Sequence, residues 1–443
     1  MMESCIRAVL DRACSEGYEC EVYGEAARAF QVEMHLGKLE SVDSSRDAGI
    51  AIRLVHEGRV GHSFTSDLSP AGLDGAVGEA VENASNSTPM DEDVLAGDEG
   101  GAVRGGLYPK LPPEGRNGEK IDGVAAMEEA CLDADRTVVN TENARYSEVS
   151  AEIFVASTRG FFRSERRGAC SCSIQAVARG GEEVRSGWYY AQGLEPEDLD
   201  FAAVGREAAA RAARLLGSGR IETKRCDVVI DGMAVIGFLG LLERALSGEM
   251  VAKGTSALAG KLGAQIAPAW VTVVDDPFLD RGCYNAGFDA EGMPTAPSVL
   301  VDSGTLGGYL HNAYSARKLD VPRSSNAVRE TYKSIPVPGP TNLILAAGEK
   351  DLSGMIEECG EGIYVIDIMG MHTADHISGD FSLGISGFLI RSGEVGSPIS
   401  EMTLSGNILG LLGSIRGIGG ETVFIGQYGT PAILVEGMSV SGK

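Results

Sequence analysis

Alternation of apolar and polar residues recurs through the first half of the chain and predicts a sheet of long antiparallel strands. Apolar side chains occupy every second position from Phe30 to Leu36 and again from Ile50 to Leu54, the period expected of a strand with one buried face. Short turn sequences such as Glu57-Gly58 separate these runs into hairpins. The same reasoning predicts further strands over residues 21–23, 60–65, 149–156, 160–166, 169–178 and 183–191.

Helical spacing interrupts this strand pattern at four places. Apolar residues three and four positions apart predict amphipathic helices, with Asp198 near the start of the fourth helix and Gly217 beyond its end. The predicted helices cover residues 2–16, 70–83, 120–133 and 199–216. Residues 85–118 are rich in Gly, Pro, Asp, Glu and Asn and predict a long surface segment of undefined path.

A short polar stretch over residues 217–225 precedes a second region dominated by short strands. There a buried strand over 226–230 leads into a helix that Asp231 can cap, and residues 247–262 form a mobile or helical connection. The further predicted strands are 270–274, 299–302, 307–310, 342–346, 363–369, 381–391, 395–404 and 423–426, with one late helix at 407–415. The fold class is therefore α+β.

Two domains follow from this pattern. Residues 1–216 form an N-terminal α/β domain with a curved antiparallel sheet and helices, 217–225 a linker, and 226–443 a C-terminal β-rich domain that is barrel or sandwich-like. The length of 443 residues is sufficient for two cores.

Composition excludes several classes of protein. A net charge of −25 opposes nucleic-acid binding, because phosphate contacts need clustered Lys and Arg. No window approaches the roughly 18 apolar residues of a membrane span, and residues 1–10 lack the pattern of a signal peptide. Nine cysteines without a Cys-x-x-Cys pair indicate no disulfide framework. We therefore expect a cytoplasmic chain.

The stretch from Gly370 to Glu394 carries the most distinctive chemistry. His372 and His376, two of six histidines, lie near Asp375 and Asp380, and on a helix this spacing indicates a metal site. Thr373 and the following Ile-Ser-Gly favour a loop instead, in which the spacing fixes no geometry.

A strand with many glycine and serine residues follows this loop. Ser378 to Asp380 form a glycine-rich turn, and apolar and small residues then alternate from Phe381 to Gly387. Repeated Gly and Ser leave room for a second backbone to approach. An extended peptide added at this strand is one interpretation, and tight turns with close sheet packing are the other.

Other catalytic motifs fail on spacing or context. His56-Glu57 and His62 resemble a zinc-protease helix, but two glycines lie between the histidines in a predicted hairpin. No Gly-x-Ser-x-Gly elbow is present, and Cys283 and Cys359 have no motif that supplies a base.

Distinctive motifs follow one another between residues 340 and 420. They are Pro340-Thr341-Asn342-Leu343 before an acidic helix, Gly362-Ile363-Tyr364-Val365, Gly370-Met371-His372-Thr373, Ser378-Gly379-Asp380-Phe381-Ser382, Gly387-Phe388-Leu389-Ile390 with Gly393-Glu394, and Met402-Thr403-Leu404-Ser405-Gly406-Asn407. This ordered set resembles the TldD/PmbA family, in particular its PmbA (TldE) branch. An ordered set is more specific than a single short motif, whereas the N-terminal half resembles the family in layout only.

The resemblance implies a partnership. It implies a TldD-type subunit that carries zinc on a His-Glu-x-x-x-His helix and a PmbA/TldE-type subunit beside it, which together trim or degrade small unfolded peptides. The matching helix here, Met233 to Ser247, contains no histidine, although Glu243 is available as a base. A zinc hydrolase needs about three protein ligands. The expectation is a non-catalytic subunit without a cofactor of its own, the zinc lying in the TldD-type partner.

Two alternatives remain open at this point. One is a self-sufficient metallopeptidase that holds its metal with His372, His376 and Asp375 or Asp380. The other is a homodimeric peptide-binding protein without catalysis. For the non-catalytic subunit we predict no catalytic residues. Its predicted substrate-binding residues are His372, Ser378, Gly379, Asp380, Phe381, Ser382 and Gly387.

Overall fold

The computed structural model describes residues 1–89, 94–97, 101–108, 110–280 and 282–442. Helices account for 25% and strands for 41% of the chain, which confirms the predicted α+β class. None of the helices in the described ranges is long and apolar enough to cross a membrane.

Six long strands and four helices form the N-terminal part. All strand pairs are antiparallel, in the order β3-β2-β1-β4-β5-β6, and the sheet curls into a half-barrel. The elements are α1 (Met2–Ser15), β1 (Glu19–His35), β2 (Lys38–His56), β3 (Arg59–Thr65), α2 (Pro70–Asn86), α3 (Asn117–Ala134), β4 (Val138–Ser157), β5 (Phe161–Gly180), β6 (Glu183–Gly193) and α4 (Phe201–Arg214), with a 3₁₀ turn at Pro196–Asp198.

Two apolar clusters attach these helices to the sheet. α1 and α2 cover β1–β3 through residues such as Ile6, Val77 and Ile52, and α3 and α4 cover β4–β6 around Tyr146 and Met127. The alternation of apolar residues read from the sequence therefore corresponds to one buried sheet face, as predicted.

Two sequence predictions in this part are wrong. Residues 160–166 and 169–178 belong to one strand, β5, because Gly168 continues the pairing with Ser150. A larger residue would not fit at this position, since a Cβ there would lie 2.8 Å from Leu111 Cδ2. The segment 85–118 is not wholly at the surface, since Val94 to Ala96 are buried. Residues 90–93, 98–100 and 109 of that segment lie outside the described residues.

The C-terminal part contains two six-stranded sheets, a two-stranded ribbon and five helices in the described ranges. The elements are β7 (Lys224–Ile230), α5 (Gly232–Leu246), α6 (Gly248–Ala252), β8 (Val273–Asp275), β9 (Ser298–Asp302), β10 (Thr305–Leu306), α7 (Ala313–Lys318), β11 (Ala327–Val328), β12 (Val337–Pro338), β13 (Leu343–Leu345), α8 (Leu352–Cys359), β14 (Gly362–Met369), β15 (Asp380–Arg391), β16 (Glu394–Asn407), α9 (Ile408–Gly413), β17 (Ile415–Ile418), β18 (Val423–Ile425), β19 (Tyr428–Thr430) and β20 (Ile433–Ser441).

A closed five-stranded barrel forms the centre of this part. The order β16-β15-β14-β7-β20 is closed by pairing of β20 with β16, and β14 and β7 are parallel. The second sheet has the order β10-β9-β8-β13-β19-β18. α5 is buried against both sheets through residues such as Val235, Phe238 and Leu242. The closed strand pairing confirms the barrel form of the C-terminal prediction.

Several local predictions here are wrong. The strand expected at 307–310 is β10, which ends at Leu306. The N–H groups of both Gly307 and Gly308 donate to the Leu300 carbonyl, at 2.9 and 3.4 Å, so the regular pairing with β9 does not continue to residue 310. The helix at 407–415 is not the only late helix, since α7 and α8 precede it. β20, which closes the barrel, was not predicted. The domain boundary at 217–225 stays a prediction.

Buried ion pairs connect the N-terminal sheet to the C-terminal part. Arg53 on β2 donates to Glu21 on β1 and to Glu291, each at 2.8 Å, and Arg329 donates to Glu21 at 3.3 Å. All four side chains are at most 7% exposed. Burial removes these charged groups from water, and the ion pairs offset the desolvation cost that would otherwise keep the side chains from being buried together.

Candidate functional site

The helix α5 positions the side chain that the candidate site is built around. Asp231 caps it, accepting from the Met233 N–H at 3.1 Å, and is itself held by Tyr364 Oη at 2.8 Å and by Arg211 at 3.1 Å. The capping prediction is confirmed. Ten of the fifteen helix residues are buried, and Glu243 is its only carboxylate.

Glu243 lies partly buried at the end of this apolar helix. Tyr428, on β19, donates its hydroxyl to Glu243 Oε2. Burial raises the pKa of the Glu243 carboxyl, and the hydrogen bond from Tyr428 and the charge of Arg244 oppose that shift. In the described chain the Tyr428 hydroxyl is the one hydrogen-bond partner of this carboxylate.

Two cavities meet at Glu243, with volumes of about 350 and 430 Å³. Both are lined by Glu243 and by Val328 and Val337 of the β11–β12 ribbon. The first extends toward the N-terminal sheet at Tyr23 and Arg167, and the second runs along α5 and α6. Cavities of this size lie in the range of small-ligand sites.

Charged groups around the first cavity are mostly neutralised by their own neighbours. Arg167 pairs with Glu165 and donates to the Phe288 carbonyl at 2.9 Å, and Arg329 pairs with Glu21. Asp289 accepts three backbone N–H bonds at 2.9–3.2 Å. Burial and the neighbouring Glu291 raise the pKa of Asp289.

The predicted site residues lie elsewhere, in the loop between β14 and β15 and in β15 itself. His372 and His376 are exposed, and Met371 packs against Gly237, where a Cβ would lie 2.6 Å from Met371 Cε. The loop therefore adjoins the first half of α5, whereas α5 lines the second cavity from Gly240 onward and the first cavity at Glu243. The lining of these cavities includes none of the seven predicted residues.

The turn at Ser378–Asp380 is confirmed, and its polar groups are used internally. Asp375 accepts from the N–H groups of Ile377 and Ser378 at 2.8 and 3.2 Å, and Asn407 donates to Asp380 at 2.8 Å. Gly379 has φ +80°. Of the remaining predicted residues, Phe381 is buried and Ser382 is exposed beside Ser405 at 3.2 Å.

Peptide addition at residues 384–387 is contradicted by the pairing of β15. From Gly384 onward this strand is hydrogen-bonded to β14 on one side and to β16 on the other, so both of its edges are occupied there, whereas residues 381–383 pair with β16. At Gly387 the approaching backbone belongs to β14, because a Cβ there would lie 1.9 Å from the Tyr364 carbonyl oxygen. Close sheet packing is the correct interpretation of this glycine.

The described His, Cys, Asp and Glu side chains do not converge on a metal site. Within the described ranges no group of three or more His, Cys, Asp or Glu side chains is placed to hold a metal ion, so the set His372, His376 and Asp375 or Asp380 is not brought together. His56 and His62 lie on the β2–β3 hairpin, as expected. Beside Glu243 the available donor is the Tyr428 hydroxyl, which does not fit the nitrogen- and sulfur-rich ligand sets of zinc.

His311 is buried beside Gly248, the first residue of α6, and makes the fold sensitive to acid. Its Nδ1 lies 3.2 Å from Ser315 Oγ, and burial lowers its pKa to about 4. An unfolded histidine titrates near 6.5, so His311 contributes stability above that pH that is lost as pH falls toward 4.

We expect His311→Asn to flatten this dependence. Between pH 7.5 and 4.5 the free energy of unfolding of the variant should change by about 2 kcal/mol less than that of the wild type, measured by urea denaturation at each pH. His376→Asn, at an exposed position, should keep the wild-type slope. Equal slopes for the wild type and His311→Asn would contradict the assignment.

Comparison with known proteins accounts for nearly the whole chain. Three family models match in order: PmbA/TldA metallopeptidase domain 1 at residues 20–84, the central domain at 114–216 and the C-terminal domain at 223–442. The chain belongs to the PmbA/TldD metallopeptidase family. The resemblance read from residues 340–420 is thereby confirmed.

Curated members of the family extend over the same length. The chain is 27% identical to the metalloprotease PmbA of Escherichia coli O157:H7, over 100% of this chain and 96% of that protein. In Haemophilus influenzae it matches both a PmbA homolog, at 24% identity over 100% and 96% of the two chains, and a TldD homolog, at 25% over 89% and 87%. PmbA and TldD relatives therefore occur in the same organism.

Solved structures of similar proteins share the fold. A Thermotoga maritima protein described as a modulator of a DNA gyrase matches with a TM-score of 0.90 and 26% identity, over 100% of both chains. TldE from Thermococcus kodakarensis matches with a TM-score of 0.87 and 22% identity, again over 100% of both.

Sequence reasoning singled out Glu243 but missed the residues around it. Asp289, Arg329 and Tyr428 come from distant segments and meet Glu243 only through the tertiary fold. The one local signal was a carboxylate near the end of a helix that is apolar apart from Glu243 and Arg244.

Proposed function

We propose that this chain is the PmbA/TldE-like, non-catalytic subunit of a two-subunit zinc metalloprotease that trims or degrades small unfolded peptides. Its membership of the PmbA/TldD family supports the peptidase context. The occurrence of PmbA and TldD relatives in one organism supports a TldD-type partner.

One observation carries the proposal. The helix expected to hold the catalytic metal, α5, presents Glu243 hydrogen-bonded to Tyr428, with no histidine along its length. A zinc hydrolase needs about three protein ligands and an open position for water. We therefore place the zinc and the bond-breaking step in the partner and assign this chain a structural or substrate-guiding role.

The cleft around Glu243 is the part of this chain suited to contact a peptide. It combines the β11–β12 ribbon, the aromatic side chain of Tyr284 and buried polar groups, the mixture typical of ligand sites. The predicted set at 372–387 remains a second candidate surface for the substrate, with its exposed members His372 and Ser382.

The test measures bound metal and peptide cleavage in matched samples. The tag-free chain is purified alone and with the TldD-type protein of the same organism, and each sample is analysed for zinc and incubated with an unstructured peptide. We expect little zinc and no cleavage from the chain alone, with zinc and chelator-sensitive cleavage in the mixture. His372→Ala combined with His376→Ala should leave the zinc content of the mixture unchanged and its activity only modestly altered.

Other outcomes would assign one of the alternatives. Zinc near one per chain together with cleavage by the isolated protein, both lost in the double histidine variant, would establish a self-sufficient metallopeptidase. A homodimer by mass that binds peptide, ignores the TldD-type protein and cleaves nothing would establish a binding protein.

A further inference from the structure

Glu243 lines two cavities, and the arginines that line the first of them are already engaged. Arg167 is bound by Glu165 and Arg329 by Glu21, while in the second cavity Glu249 is bound by Lys253 at 2.6 Å. Arg244, one residue along the helix, is exposed to solvent and makes no ion pair with Glu243 among the described contacts. A partly buried carboxylate is thus left with one neutral hydrogen-bond donor, the Tyr428 hydroxyl.

Such a group is complementary to a cationic ligand. A carboxylate has about four acceptor sites on its two oxygens, and Tyr428 occupies one of them through Oε2. A charge-assisted hydrogen bond from an ammonium is roughly twice as strong as a neutral one. A metal ion is a poorer candidate, because no group of three His, Cys, Asp or Glu ligands exists in the described chain.

The surroundings favour an ammonium that is attached to a chain. The cavities of about 350 and 430 Å³ extend from Glu243 in two directions, so a molecule bound at the carboxylate has room to continue along the β11–β12 ribbon. Tyr284, which is 46% exposed and lines the first cavity, offers an aromatic surface for that continuation.

We propose that Glu243 binds the primary ammonium group of a peptide, either the α-ammonium or a lysine side chain, in the recess between α5 and the β11–β12 ribbon. This assignment rests on the proposed function in that it takes peptides as the ligand class. It adds a specific anchor for the peptide that is independent of zinc and of the partner.

The test is a binding measurement on the isolated full chain. Three fluorescent hexapeptides of one lysine-free sequence are compared by anisotropy: one with a free amino terminus, one N-acetylated, and one N-acetylated with a single lysine introduced. We expect the free-amine peptide to bind at least about tenfold more tightly than the acetylated one, which corresponds to about 1.4 kcal/mol. Tight binding of the acetylated lysine peptide would show that a side-chain ammonium also enters.

Variants assign the effect to Glu243. Glu243→Gln keeps the shape but removes the charge, so the preference for a free amine should disappear. Glu358→Gln is the matched control, because it neutralises a helical glutamate already paired with Lys350 and Arg416. Gly240→Leu is the second variant: a Cβ there meets nothing closer than Tyr428 Oη at 3.7 Å, so the added side chain occupies the second cavity and should weaken binding of the free-amine peptide.

Two results would overturn the proposal. One is equal binding of all three peptides, and the other is a free-amine preference that persists unchanged in both folded variants, Glu243→Gln and Gly240→Leu. Because the measurement needs neither zinc nor a partner, its failure would leave the subunit assignment standing. Conversely, failure to reconstitute a peptidase would leave an observed ammonium preference intact.

Discussion

Replacing Arg53 with methionine is expected to lower the free energy of unfolding by about 3–5 kcal/mol, because it leaves buried carboxylates without their cation. Arg53 lies between Glu21 and Glu291 at 2.8 Å from each, and both carboxylates are 1% exposed. Arg329 remains to compensate Glu21, whereas among the described residues Glu291 keeps the backbone N–H of Ala313 as its one hydrogen-bond donor. Thermal and urea unfolding followed by circular dichroism measure the effect.

The control is the same substitution at an exposed ion pair. Arg7 pairs with Glu3 at 2.8 Å, with side chains 57% and 55% exposed, and exposed pairs contribute about 0–1 kcal/mol. Arg7→Met should therefore unfold close to the wild type. If Arg53→Met were as stable as Arg7→Met, the buried network would not be what joins the N-terminal sheet to the C-terminal part.

Gly387→Ala is expected to destabilise the barrel by at least about 2 kcal/mol, the range of overpacking in a closed core. A Cβ at this position would lie 1.9 Å from the Tyr364 carbonyl oxygen and 2.9 Å from Val365 Cα. Both are backbone atoms of β14, so relief requires β14 and β15 to separate. The measurement is the shift in the thermal unfolding midpoint of the purified variant.

Gly384 provides the control within the same strand. A Cβ there would meet Met369 Cβ at 3.6 Å, an ordinary van der Waals contact, so Gly384→Ala should change stability by no more than about 0.5 kcal/mol. Indistinguishable midpoints for the two alanine variants would show that β14 and β15 are farther apart at Gly387 than described.

Local patterns predicted the elements whose signal is local. The hairpin of β2 and β3, the turn at Ser378–Asp380 and the cap at Asp231 each depend on residues that are close in sequence. β20 escaped prediction although it is nine residues long, since Glu436 and Gly437 interrupt its apolar alternation and its register with β7 is shifted between Val435 and Met438. A bulge of this kind hides a strand from period-two reasoning.

The candidate site was harder to predict for the same reason. The histidines at 372 and 376 attracted attention because of their residue type, yet both are exposed in a loop whose carboxylates are held by its own backbone and by Asn407. Glu243 and Tyr428 are 185 positions apart. Their contact follows from the pairing of β19 with β13, which no single segment specifies.

The way the barrel closes sets the order of events during synthesis. β7 pairs with β20, and Ile230 is opposite Ile433. β7 therefore cannot form this pairing until more than 200 further residues have been synthesised. Until then the apolar residues Val228 to Ile230 have only β14 as a partner. Long-range closure of this kind is slow and leaves a strand edge open to aggregation. We therefore expect the nascent C-terminal part to depend on chaperones, and a chain lacking the last strand to accumulate in insoluble form.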